Sequence, residues 1–319
     1  MARDVLVTSR SFGSVPSEVD SILAEESINI VRPGADGPFS DSEMYDLIDR
    51  FNVTAVIVGS DQVGEKTIST TSNLQIISKH GIGVDNIDLD AAEESGIVVT
   101  NTPNANTESV AELAFGAMFV LGRKLIIAHG DVQAGGWGKF IGNELLDKTL
   151  GIIGLGKIGE RVAELALSVG MEVLFYDKVE KDFAGRTNVT AMDIPELLPR
   201  SDFVSVHCPL TPGTEGLVDR EVFRKMKESA FLINTARGEV VDEGALRWAL
   251  DHDQIQGAYL DVFTTEPPSK DSWVRGHNKV VLSPHIAAYT EEAIARMDEQ
   301  SLLNVVRFFK GEPLCERVV

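Results

Sequence analysis

Arg237, Glu266 and His285 are ionisable residues of complementary type, and each follows a short apolar run. Arg237 comes after Phe231–Ile233 in "AFLINTARGEVVD", Glu266 after Ala258–Val262 in "YLDVFTTEPP", and His285 after Val280–Leu282 in "VVLSPHIAAYT". Such runs read as buried strands, because a strand covered on both faces is continuously apolar. A guanidinium offers a planar fork of donors that matches a carboxylate. An imidazole exchanges protons near neutral pH, and a carboxylate beside it can orient it and favour its charged form. Any one of the three alone reads as an ordinary surface or structural residue. Together, at three successive strand ends, they read as a site, since ligands of an open parallel sheet sit beyond the carboxyl ends of its strands.

A second constellation lies in "TLGIIGLGKIGERVAELALSVGMEVLFYD", Thr149 to Asp177. Gly154, Gly156 and Gly159 have GxGxxG spacing, after an apolar strand and opening an amphipathic helix, and Asp177 closes the next strand 18 residues beyond Gly159. Gly154 permits the tight turn, Gly156 lets backbone approach a pyrophosphate, and Gly159 lets the helix pack on the strand, whose neighbouring helix N-terminus solvates the phosphates. Asp177 would accept from ribose hydroxyls and repel a 2′-phosphate, which favours NAD over NADP, with Lys178 softening the preference slightly. A further glycine pair, in "HGIGVDNID" (His80–Asp88), lacks the third glycine and the helix. It reads either as a plain turn or as a loop whose N–H groups grip a small anion such as a carboxylate.

The elements that must position these residues alternate between strand and helix. Val5–Ser9, Ala55–Gly59, Leu74–Ser78 and Ile97–Asn101 read as strands of a parallel sheet with helix-compatible segments between them. Residues 107–125 read as one long helix, apolar almost all round and therefore packed between two bodies. After Gly135–Gly136 a second series begins, with strands at Leu150–Ile153, Val173–Tyr176, Phe203–Val206, Phe231–Ile233, Ala258–Val262 and Val280–Leu282. The last thirty residues return to helix. The fold class is α/β, two doubly wound parallel-sheet domains, and 319 residues suffice for two cores.

A formal charge of −20, from 29 Lys plus Arg against 49 Asp plus Glu, repels nucleic acid and anionic membrane surfaces. An anionic ligand therefore needs locally placed cations. Cys208 and Cys315 make no disulfide framework, and no Cys/His cluster points to a metal. "MARDVLVTSR" carries charge where a signal peptide needs its apolar core, and the longest apolar stretch is too short to span a bilayer. A cytoplasmic protein is expected.

The motifs "KHGIGVDNIDL", "NTESVAE", "GIIGLGKIG", "HCPLTPGT", "INTARGEVVDE", "LDVFTTEPP" and "SPHIAAYT", in this order, resemble the D-isomer-specific 2-hydroxyacid dehydrogenases, and within them the phosphoglycerate dehydrogenase-like branch. The resemblance implies a Rossmann domain, residues 101–286, inserted into a flavodoxin-like substrate domain formed by 1–100 and 287–319. It implies a homodimer through the NAD-binding domain. It makes Arg237, Glu266 and His285 the catalytic set. Lys157 and Ile158 would lie on the pyrophosphate and Asp177 on the adenosine ribose, with His207, Cys208 and Pro209 beside the adenine. Thr235, Ala236 and Asp261 would hold the nicotinamide, and Arg237, His285 and Ala287 would also contact the cofactor. Ser60, Ile82 and Gly83, with Arg237 and His285, would hold a small 2-hydroxy or 2-keto acid. Reduction would put hydride on C2 while protonated His285 gives its proton to the carbonyl oxygen.

Some positions depart from that pattern. Phosphoglycerate-acting members usually carry arginine after the third strand, where this chain has Gly59, Ser60 and Asp61, and Lys66, Lys79 or His80 would have to compensate. The chain ends at Val319 without a regulatory domain, so serine feedback is not expected. Glu266 stands where formate-oxidising members have glutamine, which argues against formate. The competing reading is an NAD(H)-sensing corepressor-like binding protein of the same fold, which would keep the same triad.

Overall fold

The computed structural model describes residues 3–35, 37–181, 186–314 and 316–319. Cys315 lies outside the described residues. Contacts divide the chain into two compact units, residues 1–106 with 288–319, and residues 107–287. The chain thus leaves and re-enters the first unit at 106/107 and 287/288, against the 100/101 and 286/287 expected.

Aliphatic runs become strands wherever both faces are covered. In the first unit these are β1 (Arg3–Val7), β2 (Ile28–Val31), β3 (Ala55–Val58), β4 (Ile76–Lys79) and β5 (Val98–Thr100), all parallel, in the order β2-β1-β3-β4-β5. That order is flavodoxin-like, with its switch point between β1 and β3. β3 is buried along its whole length. Met44, Ile48, Val56 and Ile77 fill one side of the sheet, while Val5, Ile57, Leu302 and Val305 fill the other. The last two belong to the C-terminal helix Glu291–Lys310, capped by Thr290 and closed by Gly311 in the left-handed region.

The second unit carries β6 (Thr149–Ile153), β7 (Glu172–Tyr176), β8 (Val189–Ala191), β9 (Phe203–Val206), β10 (Phe231–Asn234), β11 (Gly257–Leu260) and β12 (Val280–Leu282). They form one parallel sheet in the order β12-β11-β10-β9-β6-β7-β8. This is the doubly wound Rossmann arrangement, whose strand order reverses between β6 and β9.

The long helix expected over 107–125 ends at Gly122, and a second helix follows it. Thr107–Gly122 buries Ala111, Ala114, Met118 and Leu121 in the core that also holds Leu150, Ile152 and Phe203. Lys124 then adopts φ 54°, a left-handed conformation that breaks the helical path, and Leu125–Gln133 follows with no buried residue. Among the described residues no helix is long and apolar enough to cross a membrane.

Candidate active site

The glycine turn follows β6. Gly154 has φ 95°, and a Cβ there would stand 2.5 Å from the Cys208 backbone nitrogen, so only glycine fits. A Cβ on Gly159 would meet the Gly154 carbonyl at 2.3 Å, which is the close helix–strand approach the motif requires. At Gly156 the opposite holds, since a Cβ would find nothing within 4 Å. The helix Lys157–Ser168 starts from Gly156 with no side-chain cap, and Lys157 is exposed and Ile158 half-buried at its first turn. Open space before uncapped N–H groups is what a pyrophosphate needs.

Asp177, one residue beyond β7, accepts from the Leu155 N–H at 2.7 Å through Oδ2 and from the Val179 N–H at 2.8 Å through Oδ1. The carboxylate therefore holds the glycine turn itself, and each oxygen keeps a lone pair for a further donor. Beyond β9, His207 Nε2 bonds Ser205 Oγ at 2.8 Å, and burial pushes its pKa down to about 4, so the ring is neutral at physiological pH. Burial likewise pushes the Cys208 thiol up to about 11, with the Asp177 charge adding to the effect, so it is no thiolate. Pro209 is exposed beside them.

β10, β11 and β12 are neighbours, and Arg237, Glu266 and His285 all follow their carboxyl ends. His285 Nδ1 and Glu266 Oε2 are 2.7 Å apart. The ring's Nε2 meets no partner among the described residues. Burial works to raise the Glu266 pKa. The hydrogen bond and charge of His285, the Phe263 N–H and the charge of Arg237 outweigh it, so the carboxyl ionises below its ordinary value. Arg237 is half-buried, with Nη1 on the Ala236 carbonyl at 2.8 Å. Asn234 fixes this loop from within, donating from Nδ2 to the Arg237 carbonyl at 2.8 Å and accepting the Ala236 N–H at 3.0 Å. Thr235 Oγ1 is buried there with no hydrogen-bond partner. A buried hydroxyl left unpaired is costly, and a polar ligand group would relieve it.

His285 has φ 53°, rare for a residue with a Cβ and a cost of about 1 kcal/mol or more. Asp261 holds it there. Its carboxylate, with the residue 0% exposed, accepts from Ser283 Oγ (2.5 Å), the Ile286 N–H (2.9 Å) and the Ala287 N–H (2.8 Å). Its carbonyl accepts the His285 N–H at 2.8 Å. Tyr259 Oη pairs with Ser283 Oγ at 2.7 Å behind it. The Asp261 carboxylate and the Ala287 N–H, both expected among the cofactor contacts, thus also support the histidine loop. Asn234, Ser283 and Tyr259 were missed from sequence, and their only signal was a polar side chain at a strand end in an apolar setting.

In the first unit, Ser60 is exposed after β3. After β4, the Gly81 N–H is taken by Thr102 Oγ1 at 3.0 Å, while the N–H groups of Ile82 and Gly83 meet no acceptor among the described residues. The cations expected to compensate for Asp61 do not. Lys79 is buried, its Nζ bonding the Gly59 carbonyl and, at 2.9 Å, Asn86 Oδ1. His80 is buried against Asp298, Nε2 to Oδ1 2.6 Å, with Ser9 Oγ 3.2 Å from Nδ1. Lys66 reaches Ser42 Oγ at 3.2 Å and lies over the Tyr45 ring. Asp61 is itself buried, with Thr8 Oγ1 (2.6 Å), the Phe39 N–H (3.0 Å) and the Gly59 N–H (3.2 Å) on its carboxylate. Its role is to shape these loops. Among the described residues no cluster of three or more His, Cys, Asp or Glu could hold a metal ion.

Residues 115–287 match the model of the NAD-binding domain of D-isomer-specific 2-hydroxyacid dehydrogenases. The chain belongs to this family. It is 40% identical over 262 residues to D-3-phosphoglycerate dehydrogenase of Homo sapiens, covering 81% of this chain and 49% of that protein. It thus spans about half the length of that relative. Glyoxylate reductase of Thermofilum pendens is 38% identical over 307 residues, covering 93% of this chain and 90% of the other. The crystal structure of the TT0316 protein from Thermus thermophilus superposes with a TM-score of 0.89 at 31% identity, covering 99% of this chain and all of that one. The domain is an NAD-binding domain by family, and the open turn at Gly156 and the orphaned Thr235 hydroxyl fit such a cofactor.

Proposed function

We propose that the protein is a cytoplasmic NAD-dependent oxidoreductase that interconverts a small D-2-hydroxy acid and its 2-keto acid. The observation that carries this reading is the His285–Glu266 pair at 2.7 Å with the imidazole Nε2 left for a substrate oxygen. A carboxylate held ionised on Nδ1 fixes which nitrogen faces the substrate and stabilises the charge the ring carries before it donates. In reduction, Nε2–H bonds the keto oxygen and delivers its proton as negative charge develops there. In oxidation, the neutral ring takes the hydroxyl proton. Arg237 supplies the fork that aligns carboxylate and carbonyl oxygens in one plane.

When bound, NAD supplies the hydride acceptor or donor at its nicotinamide. Gly154, Gly156 and Gly159 would admit its pyrophosphate at the N-terminus carrying Lys157 and Ile158, and the free lone pairs of Asp177 would take the ribose diol. His207, Cys208 and Pro209 would flank the adenine, and Thr235, Ala236 and the Asp261–Ala287 loop the nicotinamide. Ser60 and the free N–H groups of Ile82 and Gly83 would hold substrate oxygens. The protein would pair as a homodimer through the NAD-binding unit, where Leu125, Ile126, Val132, Trp137 (78% exposed) and Ile141 (87% exposed) are large apolar side chains left exposed between residues 125 and 141.

The test is NADH oxidation by the purified protein with glyoxylate, hydroxypyruvate, 3-phosphohydroxypyruvate and pyruvate. Turnover with at least one is expected. NADH binding without turnover of any would support the sensing protein in its place.

A further inference from the structure

We propose that Arg10 is the specificity-determining residue of this site. It binds a second anionic group at the far end of the substrate, so the preferred acids carry a phosphate ester or second carboxylate beyond C2. The inference rests on the 2-hydroxyacid reading above.

β1, β3 and β4 are adjacent in the sheet, and their carboxyl ends carry residues 8–14, 59–64 and 79–87. Strands lie about 4.8 Å apart, so the three loops span roughly 10 Å. They also touch, since a Cβ on Gly59 would stand 3.2 Å from Ser9 Cα. These loops contain three basic residues, Arg10, Lys79 and His80. Lys79 and His80 are buried and spent on Gly59, Asn86 and Asp298. Arg10 alone is exposed, and it makes no hydrogen bond or ion pair among the described residues.

Its surroundings are built to present it. Thr8, Ser9, Ser11 and Phe12 are all buried, so Arg10 is the exposed residue between two buried pairs, with Gly13 and Ser14 exposed after them. Four contacts pin that turn. They are Thr8 to Asp61 (2.6 Å), Ser9 to His80 (3.2 Å), the Gly13 N–H to Asp298 Oδ2 (2.8 Å), and Arg32 Nη2 to the Phe12 carbonyl (2.7 Å). A polar network that orders a turn around an uncommitted guanidinium is hard to explain as solvation of a surface. In a chain of net charge −20 a dianionic substrate is repelled overall, and a local cation is what would reverse this. An acid whose carboxylate lies on the Ile82 and Gly83 N–H groups, after β4, extends toward β1 across β3.

The test compares matched keto acids with NADH in the full chain. 3-Phosphohydroxypyruvate is set against hydroxypyruvate, and oxaloacetate against 2-oxobutyrate, so the two pairs separate a phosphate from a carboxylate. The unaltered protein should prefer the anionic member of at least one pair. Arg10→Gln should lower the anionic-to-neutral ratio of kcat/KM at least about tenfold, the effect of one charge-assisted contact. Arg10→Lys should restore part of it, and added salt should lower the ratio only when Arg10 is present. Lys66→Gln, an exposed charge committed to Ser42 and the Tyr45 ring, should leave the ratio alone, and melting of the Arg10 variants should match the parent. An unchanged ratio in Arg10→Gln, with the neutral acids still turned over, overturns the role of Arg10 and leaves the dehydrogenase reading intact. No turnover of any keto acid removes both.

Discussion

Asp261→Asn tests whether the buried carboxylate holds the catalytic loop. The substitution keeps volume and shape but replaces one oxygen by an NH2 group. Whichever way the amide turns, that group faces a backbone donor, the Ile286 N–H on one side or the Ala287 N–H on the other. At least one N–H is then stranded at a position with no access to water, which costs about 1–3 kcal/mol. The remaining bonds lose their charge assistance, and His285 at φ 53° loses support for a conformation that costs about 1 kcal/mol or more. Together the loss should be roughly 2–4 kcal/mol. At roughly 2–4 °C per kcal/mol for a unit of this size, Tm should fall by about 5–15 °C. Displacing the imidazole by even an ångström should cost kcat/KM about 10²-fold. Ser283→Ala removes only one donor and leaves both backbone bonds, so about 1 kcal/mol and a much smaller rate loss are expected. Thermal melts, NADH titration and the initial rate of NADH oxidation read all three effects. If NADH affinity falls in proportion to the rate, Asp261 acts on the nicotinamide; if affinity holds while the rate falls, it acts through His285. A variant that melts within about 2 °C of the parent and turns over within about threefold refutes the reasoning.

Glu266→Gln should move the alkaline limb of the kcat/KM profile for reduction, and the acid limb for oxidation, to lower pH. The direction follows from charge. Glu266 Oε2 lies 2.7 Å from His285 Nδ1, and exchanging a carboxylate for a neutral amide at that distance removes a charge that favours imidazolium. Limbs that stay put or move upward contradict the pairing. Arg237→Lys should keep NADH affinity and lose at least about 10²-fold in kcat/KM, because an ammonium has no bidentate fork; near-normal turnover would return Arg237 to an ordinary loop residue. Asp177→Ser should shift the NADH-over-NADPH preference by roughly 1–3 kcal/mol, the scale of hydrogen bonds to a charged group. It should also loosen the glycine turn, since the Leu155 and Val179 N–H groups lose their acceptor. Equal use of both cofactors by the unaltered protein would sink this assignment.

What could be read from the sequence was whatever a repeating environment imposes. β9, β10 and β11 are buried on both faces, so their apolar runs marked them, and a parallel sheet then placed Arg237, Glu266 and His285 at one edge. β2 and β8 escaped because they are short edge strands, half-exposed or exposed along most of their length, with no continuous apolar run. The break at Lys124 escaped because a single left-handed residue leaves no periodic trace in an apolar stretch. Side-chain direction is the harder problem. Residue type said that Lys79, His80 and Asp61 carry charge beside the loops, but burial against Asn86, Asp298 and Thr8 turned all three inward. Arg10, just past the first apolar run, drew no notice, since a lone arginine carries no pattern. Spacing likewise gave no sign that Asp261, read from its motif as a cofactor contact, also holds the loop of His285 through its buried carboxylate. Motifs identify which residues gather at a site, and the division between those that touch ligand and those that hold the others in place is a matter of burial and hydrogen bonding that spacing does not encode.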